Sequence, residues 1–288
     1  MGRVTTRMVV QRIEPSGRRR SFDQVAVEEP LEIRVDGQAL AVTMRTPGHD
    51  IELIHGFLFA EGIIADVADI ATARYCAGAV SQTSGFGLDS LALAEPVSVN
   101  TYNVLDVRLA DGVAPLELSA SRNFITSSAC GVCGKASLDA LRQRGAFDVA
   151  ADPLVVPSAV LTSLPEELRR SQPAFDRTGG VHAAGLFTAE GTLLVAREDV
   201  GRHNAVDKVI GWALLQRRLP LAGIVLQVSS RASFELTQKA YLAGVPMLSA
   251  VSAPSSLAVD LAVEFGMTLA GFVRGGSANL YSRPDRVS

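Results

Sequence analysis

The chain has 288 residues, 48% of them hydrophobic and 20% charged, which fits a folded protein with a sizeable core and room for two domains. Its formal net charge of -3 gives no general pull toward nucleic acid, and three cysteines are too few, and odd in number, for a secreted disulfide framework. No signal-peptide pattern is visible and no run nears the roughly twenty apolar residues of a membrane span, so a cytoplasmic protein touching neither membrane nor nucleic acid is expected.

Residues 1–22 read as an N-terminal arm, with Arg18-Arg19-Arg20 as a solvated basic cluster. Strand patterns follow at 24–27, 31–35 and 39–45, the last two joined by Asp36-Gly37, a strong hairpin-turn pair. Residues 50–60 carry Leu53, Ile54, Phe57 and Leu58 at helical spacing, and Glu61-Gly62 ends that helix. His49 and His55 have no ligand-like partners in the pattern and are assigned to surface or capping positions. Alternation returns at 70–75 and 98–109. Cys76 reads as a buried apolar bystander at a strand end, and 78–90 as a mobile Gly/Ser loop. Residues 23–123 are therefore expected to form a small α+β domain.

The next stretch, Ser127-Ser128-Ala129-Cys130-Gly131-Val132-Cys133-Gly134-Lys135, holds two of the three cysteines as Cys-x-x-Cys. Leu138 and Leu141, with Gly145 as a stop, predict a short helix over 136–144, so the thiols fall in the turn feeding a helix N-terminus. Unpaired N–H groups there favour a thiolate, and Lys135 adds positive charge. A structural zinc site needs about four ligands, and Cys76 and the four histidines lie at no matching spacing. A disulfide across so small a loop would stabilise little, and a thioredoxin-type pair normally opens the helix after the first strand of a βαβ unit. Spacing favours sulfur or redox chemistry over metal binding or no role.

From residue 124 the rhythm changes. Strands are expected at 183–187, 193–197, 224–228, 246–251 and 268–273, and helices at 204–216, 234–243 and 256–265. Alternation of this kind predicts a layered sheet with helices on both faces, whose ligands collect beyond the carboxyl ends of the strands. Those ends carry Arg202-His203-Asn204, Ser229-Ser230-Arg231, Ser252 to Ser256, and Arg274-Gly275-Gly276-Ser277. Any one of these is ordinary capping and turn chemistry. Four in one register, three of them with an arginine, point to an anionic ligand such as a phosphorylated nucleotide or dinucleotide. His182, after Gly179-Gly180, reads as a satisfied histidine in a tight turn. The pattern argues against a zinc deaminase, because Ala184 stands where its His-x-Glu motif needs glutamate and the cysteine pair precedes the histidine.

Together these segments resemble the FdhD family, the sulfurtransferases needed to make formate dehydrogenase active. The matching stretches are residues 56–64, the loop at 128–135, 179–184, 198–208, 229–231 and 271–276, within a resemblance running from about residue 25 to 281. It implies an α/β fold (α+β overall), with a cytidine-deaminase-like α/β/α domain lacking zinc at 124–288, after the small domain. It implies a sulfur carrier that takes persulfide sulfur from a cysteine desulfurase and passes it to the bis(molybdopterin guanine dinucleotide) cofactor of molybdenum, bound as substrate with no resident metal, before the cofactor enters apo-formate dehydrogenase. Cys130 matches the persulfide carrier, with Cys133 assisting. Phe272, Val273, Arg274, Gly275, Gly276 and Ser277 match the cofactor-binding stretch, which Arg202, His203, Asn204, Ser229 and Arg231 would extend. A homodimer is implied as well. Two other classes share parts of the pattern: a dithiol oxidoreductase would use the thiols without the pocket, and a cofactor chaperone the pocket without the thiols.

Overall fold

The computed structural model describes residues 4–76, 102–114 and 145–288, together with the backbone of 124–125. The Cys-x-x-Cys loop, the helix expected at 136–144 and the loop at 78–90 lie outside these residues. Among the described residues, no helix is long and apolar enough to cross a membrane.

The N-terminus departs from the expected solvated arm. Thr5–Glu14 (β1) and Gly17–Ala26 (β2) form a continuous antiparallel ribbon, and the arginine cluster sits within β2. Met8, Val9, Ile13 and Phe22 are exposed on it, and Arg7 lies 3.7 Å over the Phe22 ring. No residue of the ribbon is buried, so the pattern has no one-sided apolar alternation to announce a strand.

Next comes a five-stranded sheet in the order β5-β6-β3-β4-β7, made of Glu29–Val35 (β3), Gln38–Arg45 (β4), Ile70–Tyr75 (β5), Val104–Leu109 (β6) and Phe124–Ile125 (β7). Asp36 and Gly37 both take positive φ, 49° and 79°, as a type I′ hairpin turn requires. Helix α1, Asp50–Glu61, buries Leu53, Ile54 and Leu58 against Leu31, Ile33, Leu105 and Val107. It ends at Gly62, whose φ is 74°. His55 is buried, with Nδ1 2.7 Å from the Ile51 carbonyl, which corrects the surface assignment. Cys76 is part-exposed rather than buried.

The larger sheet has the order β13-β12-β11-β10-β8-β9: His182–Phe187 (β8), Leu193–Asp199 (β9), Val225–Val228 (β10), Met247–Ala250 (β11), Thr268–Arg274 (β12) and Ser277–Ser282 (β13). β10, β11 and β12 are parallel, and β8, β9 and β13 run antiparallel to their neighbours. Both faces are buried, so successive residues serve two cores. Leu226 and Leu248 meet Val206, Val209 and Ile210 of α4 (Arg202–Leu215), together with α5 (Phe234–Leu242) and α6 (Ser256–Glu264). Val225 and Met247 face Leu161, Leu164 and Leu168 of α2 (Ser158–Arg170). Helices α2 and α3 (Pro173–Thr178) and strand β13 were not legible in the sequence.

The two sheets are joined through α1 and α4, which cross backbone to backbone. A Cβ on Gly56 would stand 1.9 Å from the Asp207 carbonyl oxygen, and one on Gly211 would stand 1.8 Å from that of Glu52. Beside this crossing, Glu52 accepts two hydrogen bonds from Arg197, at 2.5 and 2.7 Å. Burial pushes the Glu52 carboxyl up, but Arg197 and His49 more than offset it and hold it at about 2. With its folded value below the ordinary 4.5, Glu52 contributes stability that is fully present above about pH 4.5 and is lost as pH falls toward 2. That shift corresponds to on the order of 3 kcal/mol. The urea midpoint of Glu52→Gln should therefore fall well below wild type at about pH 6, and the gap should narrow steadily as pH falls from about 4.5 toward 2. A gap that stays constant across that range would remove the carboxylate from the account.

Candidate functional site

A cavity of about 540 Å³ opens at one end of the larger sheet, where β9, β10, β11 and β12 terminate and β8 begins. Its polar side is built by His182 at the start of β8, Ser229 just past β10, and Arg274 at the end of β12. Leu168 of α2, Phe175 of α3, Val200 and Val251 supply apolar surface, Glu166, Arg169 and Gln172 add polar groups on the α2 side, and Gly179-Gly180 leaves the backbone close to the space. This is the strand-end position where α/β sheets collect ligands. Its volume suits a nucleotide-sized group.

Ser229 is fixed by two bonds to β8. Its N–H donates to the Ala183 carbonyl at 3.0 Å, and its Oγ accepts from the Ala183 N–H at 2.9 Å. Gly275 and Gly276, with φ of 57° and 77°, form the turn from β12 into β13, and a Cβ on either would meet nothing within 4 Å. Ser277 Oγ donates to the Arg274 carbonyl at 3.1 Å and closes that turn. Val273 is buried in the core, so of the stretch 272–277 it is Arg274 whose side chain borders the cavity.

The other strand-end residues gather beside the cavity rather than in its lining. Burial first, then the neighbouring Arg231, pushes the Arg202 guanidinium below its ordinary value. Arg202 Nε and His203 Nε2 are buried with no hydrogen-bond partner. His203 lies 3.8 Å from Glu235, beyond hydrogen-bond range, yet it holds that carboxyl down at about 2 against the cost of burial. Asn204 is structural: its amide donates to the Met44 carbonyl at 2.8 Å and to Asp199 at 3.0 Å.

His182 is the lining residue that sequence reasoning passed over. Burial, followed by Arg202 and His203, pushes its imidazole below the ordinary value and favours the neutral ring. Gly179-Gly180 before a short strand was the available signal. The apolar wall from α2 was signalled only by the spacing of Leu161, Leu164 and Leu168, which Pro165 interrupts. Among the described residues, no group of three His, Cys, Asp or Glu is placed to hold a metal ion.

A family model described as FdhD/NarQ matches residues 26–288. The chain belongs to the FdhD/NarQ family. Among relatives named sulfur carrier protein FdhD, one from Mycolicibacterium paratuberculosis is 58% identical over 265 residues, covering 92% of each chain. One from Streptomyces coelicolor is 53% identical over 289 residues, covering 100% of this chain and 97% of its own. A crystal structure from Desulfotalea psychrophila, assigned as a formate dehydrogenase accessory protein, superimposes with a TM-score of 0.73 at 26% identity. It covers 99% of this chain and 100% of its own. The ribbon β1-β2 lies almost wholly before the matched span of the FdhD/NarQ model.

Proposed function

We propose that this chain is a cytoplasmic sulfur carrier that loads a persulfide on Cys130 and delivers the sulfur to a guanine-dinucleotide molybdenum cofactor seated in the strand-end cavity. The observation that carries the reading is the cavity itself, with Arg274, Ser229 and His182 at the strand ends facing a mixed apolar and polar surface from α2 and α3, in a chain whose relatives are named sulfur carriers. The sheet order β9-β8-β10-β11-β12, with three parallel strands, supports the cytidine-deaminase-like description of this half. The desulfurase, apo-formate dehydrogenase and a second copy of the chain are the partners this reading calls for.

The chemistry is thiol exchange. The Cys130 thiolate attacks the outer sulfur of the desulfurase persulfide, a new S–S bond forms, and the desulfurase cysteine leaves as thiolate. On delivery, Cys133 thiolate attacks Cys130 Sγ and releases hydrosulfide, leaving a Cys130–Cys133 disulfide that a dithiol reductant reopens. In the cavity, Arg274 and the N–H groups near Gly275-Gly276 meet phosphate oxygens, whose charge-assisted hydrogen bonds are the strong ones.

Two measurements test this. After incubation with desulfurase and cysteine, intact-mass spectrometry should find one added sulfur on wild type and none on Cys130→Ala, with Cys133→Ala loaded but weaker in onward transfer. A Cys130→Ala protein that still matures formate dehydrogenase normally would overturn the carrier assignment. Titration of GDP should give binding that Arg274→Ala weakens roughly ten- to a hundredfold, for a charge-assisted contact worth about 1.5–3 kcal/mol, with the deficit shrinking as salt rises. Absence of GDP binding in wild type would sink the nucleotide reading of the cavity.

A further inference from the structure

Phe272 occupies a position that normally demands glycine. Its φ is 53°, in the left-handed region. At the same point the pairing of β12 with β13 slips: Gly271 faces Asn279 and Arg274 faces Ser277, so Phe272 and Val273 together oppose Ala278. A bulge whose first residue is left-handed ordinarily carries glycine there, because a Cβ crowds the following carbonyl. The surroundings hold Phe272 in place. Its N–H donates to the Ser252 carbonyl at 3.2 Å. Gly271 before it is so enclosed that a Cβ would stand 3.0 Å from both Pro254 Cδ and Tyr281 Cε2.

The bulge changes direction. In an unbroken strand, residues 272 and 274 would share one face. The extra residue breaks that alternation: Val273 packs in the same core as Ala270, three residues away, rather than with Leu269 on the other side of the sheet, and Arg274 after it borders the cavity. The Phe272 ring stays near the side chain it redirects, with the Arg274 guanidinium carbon 5.9 Å from the ring centroid. Backbone strain kept beside a site, where glycine would relieve it, indicates that the side chain has work to do.

We propose that Phe272 is a positioning residue for Arg274: its left-handed bulge turns the arginine toward the cavity, and its ring holds the guanidinium there. It acts on an anionic ligand through Arg274. The proposal rests on the nucleotide reading of the cavity, and its test separates the two.

Phe272→Gly, Phe272→Ala and Phe272→Tyr differ in the two features that matter. Glycine loses the ring and relieves the strain, alanine loses the ring and keeps the strain, and tyrosine keeps both. Phe272→Gly should melt at a higher temperature than Phe272→Ala, the reverse of the order in a regular strand. Both should bind GDP about fivefold more weakly than wild type, as loss of a cation–π contact implies, and Phe272→Tyr should bind as wild type does. The pair Phe272→Gly/Arg274→Ala should bind no more weakly than Arg274→Ala alone. Fully additive losses would mean that the ring touches the ligand itself, and unchanged affinity in Phe272→Gly would mean that it does nothing; either overturns the proposal. Should wild type bind no GDP, the nucleotide reading fails, and the Arg274 Nε–H order parameter in free protein decides the positioning role. An ordered guanidinium in wild type that becomes mobile in Phe272→Gly supports it, and equal mobility rejects it.

Discussion

Gly211→Ala should cost the protein more stability than any single surface change, at or beyond the upper end of the roughly 1–3 kcal/mol expected for overpacking. Helix propensity alone says the opposite, because alanine is better than glycine in a helix interior by about 1 kcal/mol. Geometry decides the sign. The added Cβ would lie 1.8 Å from the Glu52 carbonyl oxygen and 2.8 Å from the Gly56 nitrogen, against a comfortable separation of about 3.5 Å. These are backbone atoms of α1, which cannot rotate aside as a side chain would. Relief requires α1 and α4 to move apart, and that motion would break the Arg197 bonds to Glu52 and open the apolar seam beside it. Gly56→Ala meets the Asp207 carbonyl in the same way and should behave alike. Urea denaturation measures both. A Gly211→Ala protein as stable as wild type would mean that the helices do not approach this closely.

The same pair of glycines illustrates which features a sequence discloses. The helix over 50–60 was legible from Leu53, Ile54, Phe57 and Leu58, but the role of Gly56 within it was not, since the element it packs against, with Gly211, lies far away in the chain. Strands β10 and β11 were legible as short, mostly apolar runs bounded by turn residues and alternating with helical patterns. The ribbon β1-β2 was not, because arginines sit among Met8, Val9 and Phe22 and leave no buried face. Helix α2 was hidden by Pro165 in its interior, a residue that ordinarily argues against a helix. For the candidate site, strand-end logic placed Ser229 and Arg274 correctly at one end of the sheet. It could not sort lining residues from neighbours such as Arg202 and Arg231, because that depends on side-chain direction. The bulge at Phe272 was invisible for the same reason.

Lys208→Met should destabilise the protein by about 3–5 kcal/mol, the cost of leaving a buried charge without its partner. Lys208 and Asp199 are 1% and 0% exposed, and Nζ lies 2.7 Å from Asp199 Oδ2. The ammonium also donates to the carbonyls of Thr46 and Glu198, at 3.1 and 3.2 Å. Asp199 in turn accepts from the Thr46 and Gly201 N–H groups and from the Asn204 amide. The carboxylate therefore ties β4 to the end of β9, directly beside Val200 in the cavity wall and opposite His182 in the strand register. Methionine matches the volume of lysine but leaves Asp199 buried and charged without its counter-ion. Adding Asp199→Asn removes that stranded charge, so the double variant should be more stable than Lys208→Met alone. That inversion is the signature of a coupled pair, since independent sites would add their losses. Because the pair sits behind the cavity wall, Lys208→Met should also weaken GDP binding, though no atom of Lys208 lines the space. Urea titration of both variants, with GDP titration on whichever stays folded, provides the check. A Lys208→Met penalty below about 1 kcal/mol, or a double variant less stable than either single one, would show that Asp199 does not depend on Lys208 for its charge balance.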